Sequence, residues 1–178
     1  MRNVILSMMV SVDGNIEAKD PNYNWHNWND EMSNYMMDFF KSVDTFLYGR
    51  KAYEDMIAYW PHRNDAFAKV MNNTRKLVFS GTLNRATWNA TLVNEHAVEK
   101  MKAEKNKDGK GMVLFAGAGI AETFINSNLI DEYRLIINPV VLGSGRPLFK
   151  NTNELTNLKL HDVTHFECGN VLLIYRPR

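Results

Sequence analysis

The sequence has little cysteine, no excess charge of either sign and no long apolar run, and each lack excludes a class of protein. The single cysteine, Cys168, excludes an intramolecular disulfide and a thiolate metal site, and we expect it to be a buried, unreactive thiol in a C-terminal strand. The 21 basic and 20 acidic side chains give a formal net charge of +1, so no overall field attracts nucleic acid or an anionic membrane. No apolar run approaches the ~18 residues of a membrane span.

The length and the first residues narrow the class further. A chain of 178 residues is expected to form one domain, 1–178, that buries a core without disulfides or metals. The apolar run Val4–Val10 meets Asp13 too early for a secretory signal peptide. We therefore expect a single-domain cytoplasmic protein whose partner is a small-molecule substrate, with no nucleic acid and no membrane.

The order of apolar segments and turn residues predicts alternating strands and helices. The predicted strands are Val4–Val10, Thr45–Tyr48, Lys76–Ser80, Thr91–Val93, Met112–Phe115 and Glu132–Asn138. The predicted helices are one capped by Asp30 or Ser33 and reaching Phe40, then Ala52–Ala58, Asp65–Met71, Glu95–Lys105, and one from Gly119 to about Asn126. Leu158–Phe166 and Val171–Arg176 predict an antiparallel C-terminal hairpin. The expected class is α/β, a three-layer α/β/α fold with a mostly parallel sheet.

Three predicted strands end in small or hydroxyl residues where a ligand could approach the backbone. Met112–Phe115 leads into Ala116-Gly117-Ala118-Gly119 at a helix start, where free N–H groups favour a phosphate, although a tight turn without a ligand has the same pattern. A second strand ends at Gly49-Arg50-Lys51, and the planar guanidinium of Arg50 suits the 2′-phosphate of NADPH. The third ends at Ser80-Gly81-Thr82. Ligands of open α/β sheets bind at this carboxyl edge.

These segments resemble the dihydrofolate reductase-like superfamily. Within it, the chain is most similar to the C-terminal reductase domain of the bifunctional riboflavin-biosynthesis deaminase-reductase and its stand-alone bacterial relatives. The matching stretches occur in family order and are Ser11–Gly14, Gly49–Glu54, Lys76–Ser80, Gly117–Gly119, Leu129–Tyr133 and Asn138–Phe149. The last of these, NPVVLGSGRPLF, is the most specific.

The resemblance implies that NADPH binds along the sheet edge. Arg50 and Ser80 would hold the 2′-phosphate, with Gly49, Lys51 and Gly81 beside them. The pyrophosphate would lie on Gly117, Ala118, Gly119 and Ile120, and the nicotinamide near Met9 and Ile16. Family members often form homodimers, which makes a homodimer the expectation here. Dihydrofolate reductases have a cis Gly-Gly peptide before the pyrophosphate loop; here the pair is Ala116-Gly117.

The departures from the family bear on the substrate. The carboxylate that binds the pterin in dihydrofolate reductases falls near Ser33, while Asp30 and Glu31 lie one turn away and are expected to stabilise the helix N-terminus. One cysteine in the chain excludes the zinc deaminase domain, whose signature needs P-C-x-x-C. Two functions therefore remain as alternatives, that of an aminopyrimidine reductase and that of a divergent dihydrofolate reductase.

For the other candidate residues, a purely structural role explains the sequence about as well as a functional one. Asp13 could bind substrate or relay a proton, or it could form an Asx-type turn with Gly14. Trp25, in a Trp-rich loop, could cover the substrate or simply pack. His161 and His165 would share a strand face, but no third metal ligand is apparent, so no metal is expected.

The expected function is hydride transfer from NADPH to a small heterocyclic or carbonyl substrate, including a 5-amino-6-(5-phosphoribosylamino)uracil-type pyrimidine. A non-catalytic NADPH-binding module would keep the affinity and lack turnover. An oligomeric scaffold would lack the affinity as well, and the intact Gly49-Arg50, Ser80 and Gly117–Gly119 positions argue against it.

Overall fold

The computed structural model describes residues 1–20, 22–152 and 155–178. The strands are β1 (Val4–Ser11), β2 (Asn15–Ala18), β3 (Val43–Gly49), β4 (Arg75–Phe79), β5 (Ala90–Val93), β6 (Gly111–Ala116), β7 (Glu132–Asn138), β8 (Gly145–Pro147), β9 (Leu158–His165) and β10 (Val171–Pro177). The helices are α1 (Asp30–Phe40), α2 (Arg50–Tyr59), α3 (Ala66–Asn73), α4 (Ala97–Lys105) and α5 (Ala118–Asn126), with a 3₁₀ turn at Trp60–His62. The expected α/β class is confirmed.

One large sheet has the strand order β5-β4-β3-β6-β1-β7-β10-β9. Every pairing from β5 through β7 is parallel, whereas β10 runs antiparallel to both β7 and β9. It follows that β9 points the same way as the parallel strands and that β10 alone is reversed. The mostly parallel sheet and the antiparallel C-terminal hairpin agree with the sequence prediction.

Helices cover both faces of this sheet, which gives three layers. On one face, buried side chains of α4 and α5, among them Met101 and Phe124, pack against Leu6 and Leu114. On the other face, buried side chains of α1, α2 and α3 form a second core cluster around Phe46. The strands between them read as nearly continuous apolar runs because both of their faces are buried.

A small second sheet was absent from the sequence prediction. β2 pairs antiparallel with β8, so the chain that follows β1 is joined to the chain that follows β7. Both strands are short, and the three residues of β8 are exposed. No alternating apolar pattern marks them, because neither strand buries a complete face.

Two predictions of local structure were wrong. The side chain of Asn29, rather than Asp30 or Ser33, caps α1 by accepting a hydrogen bond from the backbone N–H of Met32 at 3.0 Å. Asparagine is among the best N-cap residues because its oxygen reaches the N3 amide. Cys168 lies in the β9–β10 turn rather than in a strand, and it is half-buried instead of buried.

The amino edge of the sheet is held together by a buried carboxylate. Glu104, at the end of α4, is fully buried and accepts hydrogen bonds from Arg75 and Lys107, with Lys100 within 3.2 Å. Burial alone would raise the pKa of this carboxyl, but the donated hydrogen bonds outweigh burial and bring its pKa to about 2. Removing the cationic partners would leave a buried charge without compensation, which is strongly destabilising.

Lys76 on β4 is also fully buried. Its ammonium donates to the carbonyl oxygen of Thr74 at 2.6 Å and lies 4.0 Å from the centroid of the Trp88 ring. No carboxylate forms an ion pair with it among the described residues. Burial therefore lowers the pKa of Lys76 from 10.5 to about 8.

None of the described helices is long and apolar enough to cross a membrane.

We expect Lys76 to make stability depend on alkaline pH. Between pH 8 and pH 10.5 the unfolded chain binds the proton more tightly than the folded protein, so the free energy of unfolding rises with pH in this window. The rise should be about 3 kcal/mol. Urea unfolding at a series of pH values should show it for the native sequence and for the exposed control Lys69→Met, but not for Lys76→Met. Identical pH profiles for all three proteins would refute this assignment.

Candidate cofactor and substrate site

Three neighbouring strands end together at the carboxyl edge of the large sheet. β4, β3 and β6 are adjacent and parallel, so the residues at their carboxyl ends lie along one line of the edge. These are Ser80 after β4, Gly49 as the last residue of β3, and Gly117 after β6. The sequence predicted that these three ends would meet, and the structure brings them together.

Gly49 and Gly117 touch through their backbones. A Cβ atom added to Gly117 would lie 2.9 Å from the Gly49 nitrogen, and Gly117 has a φ of +109°, which L side chains rarely adopt. A side chain at Gly117 would therefore displace the backbone, whereas a Cβ at Gly49, whose φ is −78°, would make ordinary contacts at 3.5 Å with Gly117 and Ile120. The Ala116–Gly117 peptide bond is trans, unlike the corresponding bond of dihydrofolate reductases.

Two helices begin at this contact. Gly49 is the N-cap of α2 and Gly117 is the N-cap of α5, and neither helix has a side chain capping its first turn. The free N–H groups and the positive ends of the two helix dipoles consequently face the same edge, an arrangement that favours an anion. Ala118 and Ile120 are half-buried in the first turn of α5, whereas Gly119 is exposed, and a Cβ there would meet no atom within 4 Å.

Arg50 lies beside the turn that follows β4. Its Nη1 donates to the Thr82 hydroxyl at 2.8 Å, and its Nε donates to Glu54 at 2.8 Å. Ser80 accepts from the backbone N–H groups of Thr82 and Leu83 at 3.2 and 3.1 Å. The result is an exposed guanidinium beside two hydroxyls, a set of groups suited to a phosphate monoester. Thr82 was not predicted as a site residue, although its turn was.

Lys51 and Gly81 lie at the margins of this region. The Lys51 ammonium forms an ion pair with Glu17 on β2, so the pair ties the start of α2 to the small sheet. Gly81 is exposed in the turn, where a Cβ would lie 3.6 Å from the Asn94 carbonyl oxygen. The roles of both residues toward a cofactor stay predictions.

The residues predicted near the nicotinamide lie toward the β1 side of the edge. Met9 is half-buried and packs on the α1–α3 side of the sheet, with its sulfur 3.8 Å from the Asn138 amide nitrogen. Ile16, on β2, is half-buried and packs against the core cluster of the opposite face. The two side chains therefore flank the end of β1 from different faces.

Asp13 is tied into the chain around it. Its carboxylate accepts hydrogen bonds from the Ser11 hydroxyl at 2.6 Å and from the backbone N–H groups of Leu142 and Gly143 at 3.1 and 2.8 Å. The Ser11 bond, followed by the backbone bonds, lowers the pKa of Asp13 to about 2. A carboxylate that is ionised at neutral pH holds no proton to deliver. The geometry favours a structural role, but not the Asx-type turn with Gly14, because the backbone N–H of Asn15 donates to the Ser11 hydroxyl instead. Asp13 joins the end of β1 to the loop after β7.

Trp25 and Ser33 were predicted to contact the substrate, which accepts the hydride, and we call this part of the proposed site the acceptor end. Both are half-buried, Trp25 in the loop before α1 and Ser33 in the first turns of α1. Glu31 accepts from the backbone N–H of Glu167 at 2.8 Å, which directs it to the β9–β10 turn, and Asp30 is exposed. No group of three or more metal-ligating side chains occurs among the residues that the structure describes.

The comparisons with known proteins agree with this architecture. The model of the RibD C-terminal domain matches residues 2–173. The structure superposes on a putative riboflavin biosynthesis protein from Shewanella sp. PV-4 with a TM-score of 0.80 and 19% identity, covering 100% of this chain and 99% of that one.

Two further structures share the fold at lower similarity. One is the diaminohydroxyphosphoribosylaminopyrimidine deaminase/5-amino-6-(5-phosphoribosylamino)uracil reductase of Thermotoga maritima, with a TM-score of 0.71, 14% identity and coverage of 99% of this chain and 57% of that one. The other is dihydrofolate reductase from Enterococcus faecalis complexed with NADP(H), with a TM-score of 0.64, 14% identity and coverage of 99% and 96%. The predicted dihydrofolate reductase-like fold is therefore confirmed. Because the family match runs from the start of β1 into β10, the chain belongs to the RibD C-terminal domain family.

Proposed function

We propose that this protein is an NADPH-dependent reductase that transfers hydride to a C=N or C=O group of a small heterocyclic or carbonyl substrate. A pyrimidine of the 5-amino-6-(5-phosphoribosylamino)uracil type is the leading candidate, since the T. maritima relative is a reductase of that name. The observation that carries the proposal is the meeting of two uncapped helix N-termini with the Arg50–Thr82–Ser80 group.

The residues of this edge fit the two anionic parts of NADPH. Gly117 leaves the backbone bare where a side chain would collide, and Gly119 leaves open space in the first turn of α5, so a pyrophosphate can approach the N–H groups. Arg50, with Ser80 and Thr82, would hold the 2′-phosphate, a group that NADH lacks. Met9 and Ile16 would flank the nicotinamide.

NADPH, when bound, supplies the hydride, and the protein supplies position and electrostatics. The residues of this chain need only hold the two reactants in line and exclude water from between them. Since Asp13 is ionised, the proton that completes the reduction comes from solvent in this proposal. We propose in addition that the protein works as a cytoplasmic homodimer, as expected from its relatives.

Two rival functions predict different measurements. A divergent dihydrofolate reductase needs a carboxylate in the acceptor pocket, but Glu31 is engaged by the β9–β10 turn and Asp30 is exposed. A non-catalytic module would bind NADPH without oxidising it in the presence of any acceptor. Turnover assays with dihydrofolate and with aminopyrimidines separate all three functions.

Replacing Arg50 with Ala should weaken NADPH binding by a factor of about 10 to 150, because a charge-assisted contact to phosphate contributes about 1.5–3 kcal/mol. Binding of NADH should change little. Fluorescence titration measures both affinities. Arg63→Ala is the matched control, since Arg63 is equally exposed and forms a comparable ion pair with Asp65. Equal loss of NADPH and NADH affinity in Arg50→Ala would rule out a 2′-phosphate contact.

Gly119→Ala and Gly117→Ala separate cofactor contact from folding. In Gly119→Ala the added methyl meets no protein atom, so the free energy of unfolding should stay the same or rise by up to about 1 kcal/mol. NADPH affinity should nevertheless fall at least about tenfold, because the methyl occupies the space proposed for the pyrophosphate.

Gly117→Ala should lose both properties, since its methyl strikes the Gly49 backbone at a positive φ. Urea unfolding and nucleotide titration of the two variants provide the comparison. Unchanged NADPH affinity in Gly119→Ala would place the pyrophosphate elsewhere.

A further inference from the structure

Residues 22–29 form a strap, the segment that leads from the small sheet to α1. The strap crosses the carboxyl edge and is attached at several points. The Tyr23 hydroxyl donates a hydrogen bond to the Asp55 carboxylate on α2 at 2.9 Å. The Trp28 ring packs edge-to-face against the Phe67 ring of α3, with 5.8 Å between the ring centroids. Both of these contacts are exposed or made by exposed side chains, so they restrain the strap weakly.

Asn27 provides the strong attachment. Its backbone N–H donates to the Asn138 side chain at 2.9 Å, and its side-chain amide donates to the Cys168 carbonyl oxygen at 2.9 Å. Its own carbonyl oxygen accepts from the Asn170 side chain at 2.8 Å. Three hydrogen bonds thus join one strap residue to the end of β7 and to the β9–β10 turn.

The two partner asparagines, Asn138 and Asn170, are fully buried. Asn138 pairs in register with Ser11 at the end of β1, and its amide nitrogen also contacts the Ile136 carbonyl oxygen and the Met9 sulfur. Met9 is the residue proposed to flank the nicotinamide. Asn27 therefore fixes the strap beside Met9, where the proposed nicotinamide and acceptor positions meet.

Directly before Asn27, two ring nitrogens have no partner. Trp25 Nε1 and His26 Nε2 are buried without a hydrogen bond, and the two rings meet edge-to-face at 4.2 Å. Burying a polar atom without a partner costs about 1–3 kcal/mol, which a ligand could recover. Burial also lowers the pKa of His26 to about 4, so its ring is neutral at pH 7 and one of its nitrogens can accept.

We propose that Asn27 is a positioning residue that holds Trp25 and His26 over the acceptor end, where their ring nitrogens recognise the amide edge of a planar heterocycle. In this arrangement the indole N–H donates to a ring carbonyl, and the neutral imidazole accepts from the neighbouring ring N–H. The assignment of this position to the acceptor end depends on the proposed reductase function. The restraint of the strap by Asn27 does not.

The experiment uses protein labelled with ¹⁵N in its tryptophan indoles and compares the native sequence with Asn27→Ala and Asn24→Ala. Asn24 is an exposed asparagine of the same strap and serves as the matched control. Trp60 and Trp88, whose indole N–H groups have protein partners, are internal references. Trp25→Phe assigns the Trp25 resonance. Indole hydrogen exchange is measured without nucleotide, and uracil is then titrated into protein saturated with NADP⁺.

In Asn27→Ala we expect Trp25 indole exchange to accelerate at least about tenfold, because the buried donor opens to water. The apparent Kd for uracil, read from the Trp25 resonance, should rise at least about fivefold, the effect of one hydrogen bond. The affinity for NADPH and the exchange of Trp60 and Trp88 should stay as in the native sequence. Asn24→Ala should match the native sequence in every measurement.

Three outcomes would overturn the proposal. Unchanged Trp25 exchange in Asn27→Ala would show that Asn27 does not hold the strap. A parallel loss of uracil and NADPH affinity would indicate a general structural role, and no uracil-dependent shift of the native Trp25 resonance would remove the recognition role. If the native protein failed to bind NADPH, the reductase proposal would fail, while the exchange comparison would still decide what Asn27 restrains.

Discussion

The contact between Gly49 and Gly117 is the constraint on which the rest of the site depends. β3 and β6 can end this close together because Gly117 carries no side chain, and both strands then turn directly into helices. Because Arg50 follows Gly49 immediately, the same contact sets where the guanidinium lies relative to the turn after β4. A single close approach of backbones therefore positions two helix N-termini and one cation together.

The two edges of the sheet differ in how their charged and polar groups are paired. At the amino edge, Glu104 is buried and its oxygens are satisfied by surrounding cations. At the carboxyl edge, the first-turn amides of α2 and α5 lack side-chain acceptors and Arg50 is exposed. The buried ion pairs and the groups proposed to bind the cofactor thus lie at different ends of the same strands.

The sequence predicted the parts of this molecule that local patterns encode. Apolar runs predicted the strands of the large sheet, apart from a few residues at the strand termini. Small residues after three of these strands predicted the proposed binding site at the carboxyl edge. Asn29 was missed as a helix cap because Asp30 and Ser33 are also good caps one and four residues later. The β2–β8 pair and the Asn27 contacts were missed for another reason. They join residues more than a hundred positions apart through polar atoms, and no periodicity records such pairings. Asp13 shows an intermediate case. A structural role was foreseen as an alternative, but the expected Asx-type turn with Gly14 is not formed, and the bonds to 142 and 143 were not predicted.

The reversed direction of β10 has a consequence for how the protein forms during synthesis. Since β10 alone runs against the sheet, its first residues and the turn before it reach the carboxyl edge, where Cys168 and Asn170 contact the strap. β10 follows every other element in sequence, yet it lies between β7 and β9. A nascent chain can therefore assemble the Gly49–Gly117 contact early, but the far end of the same edge stays open until the final strand leaves the ribosome. Partly synthesised chains would present the groups proposed to bind the nucleotide without the segment proposed to select the acceptor.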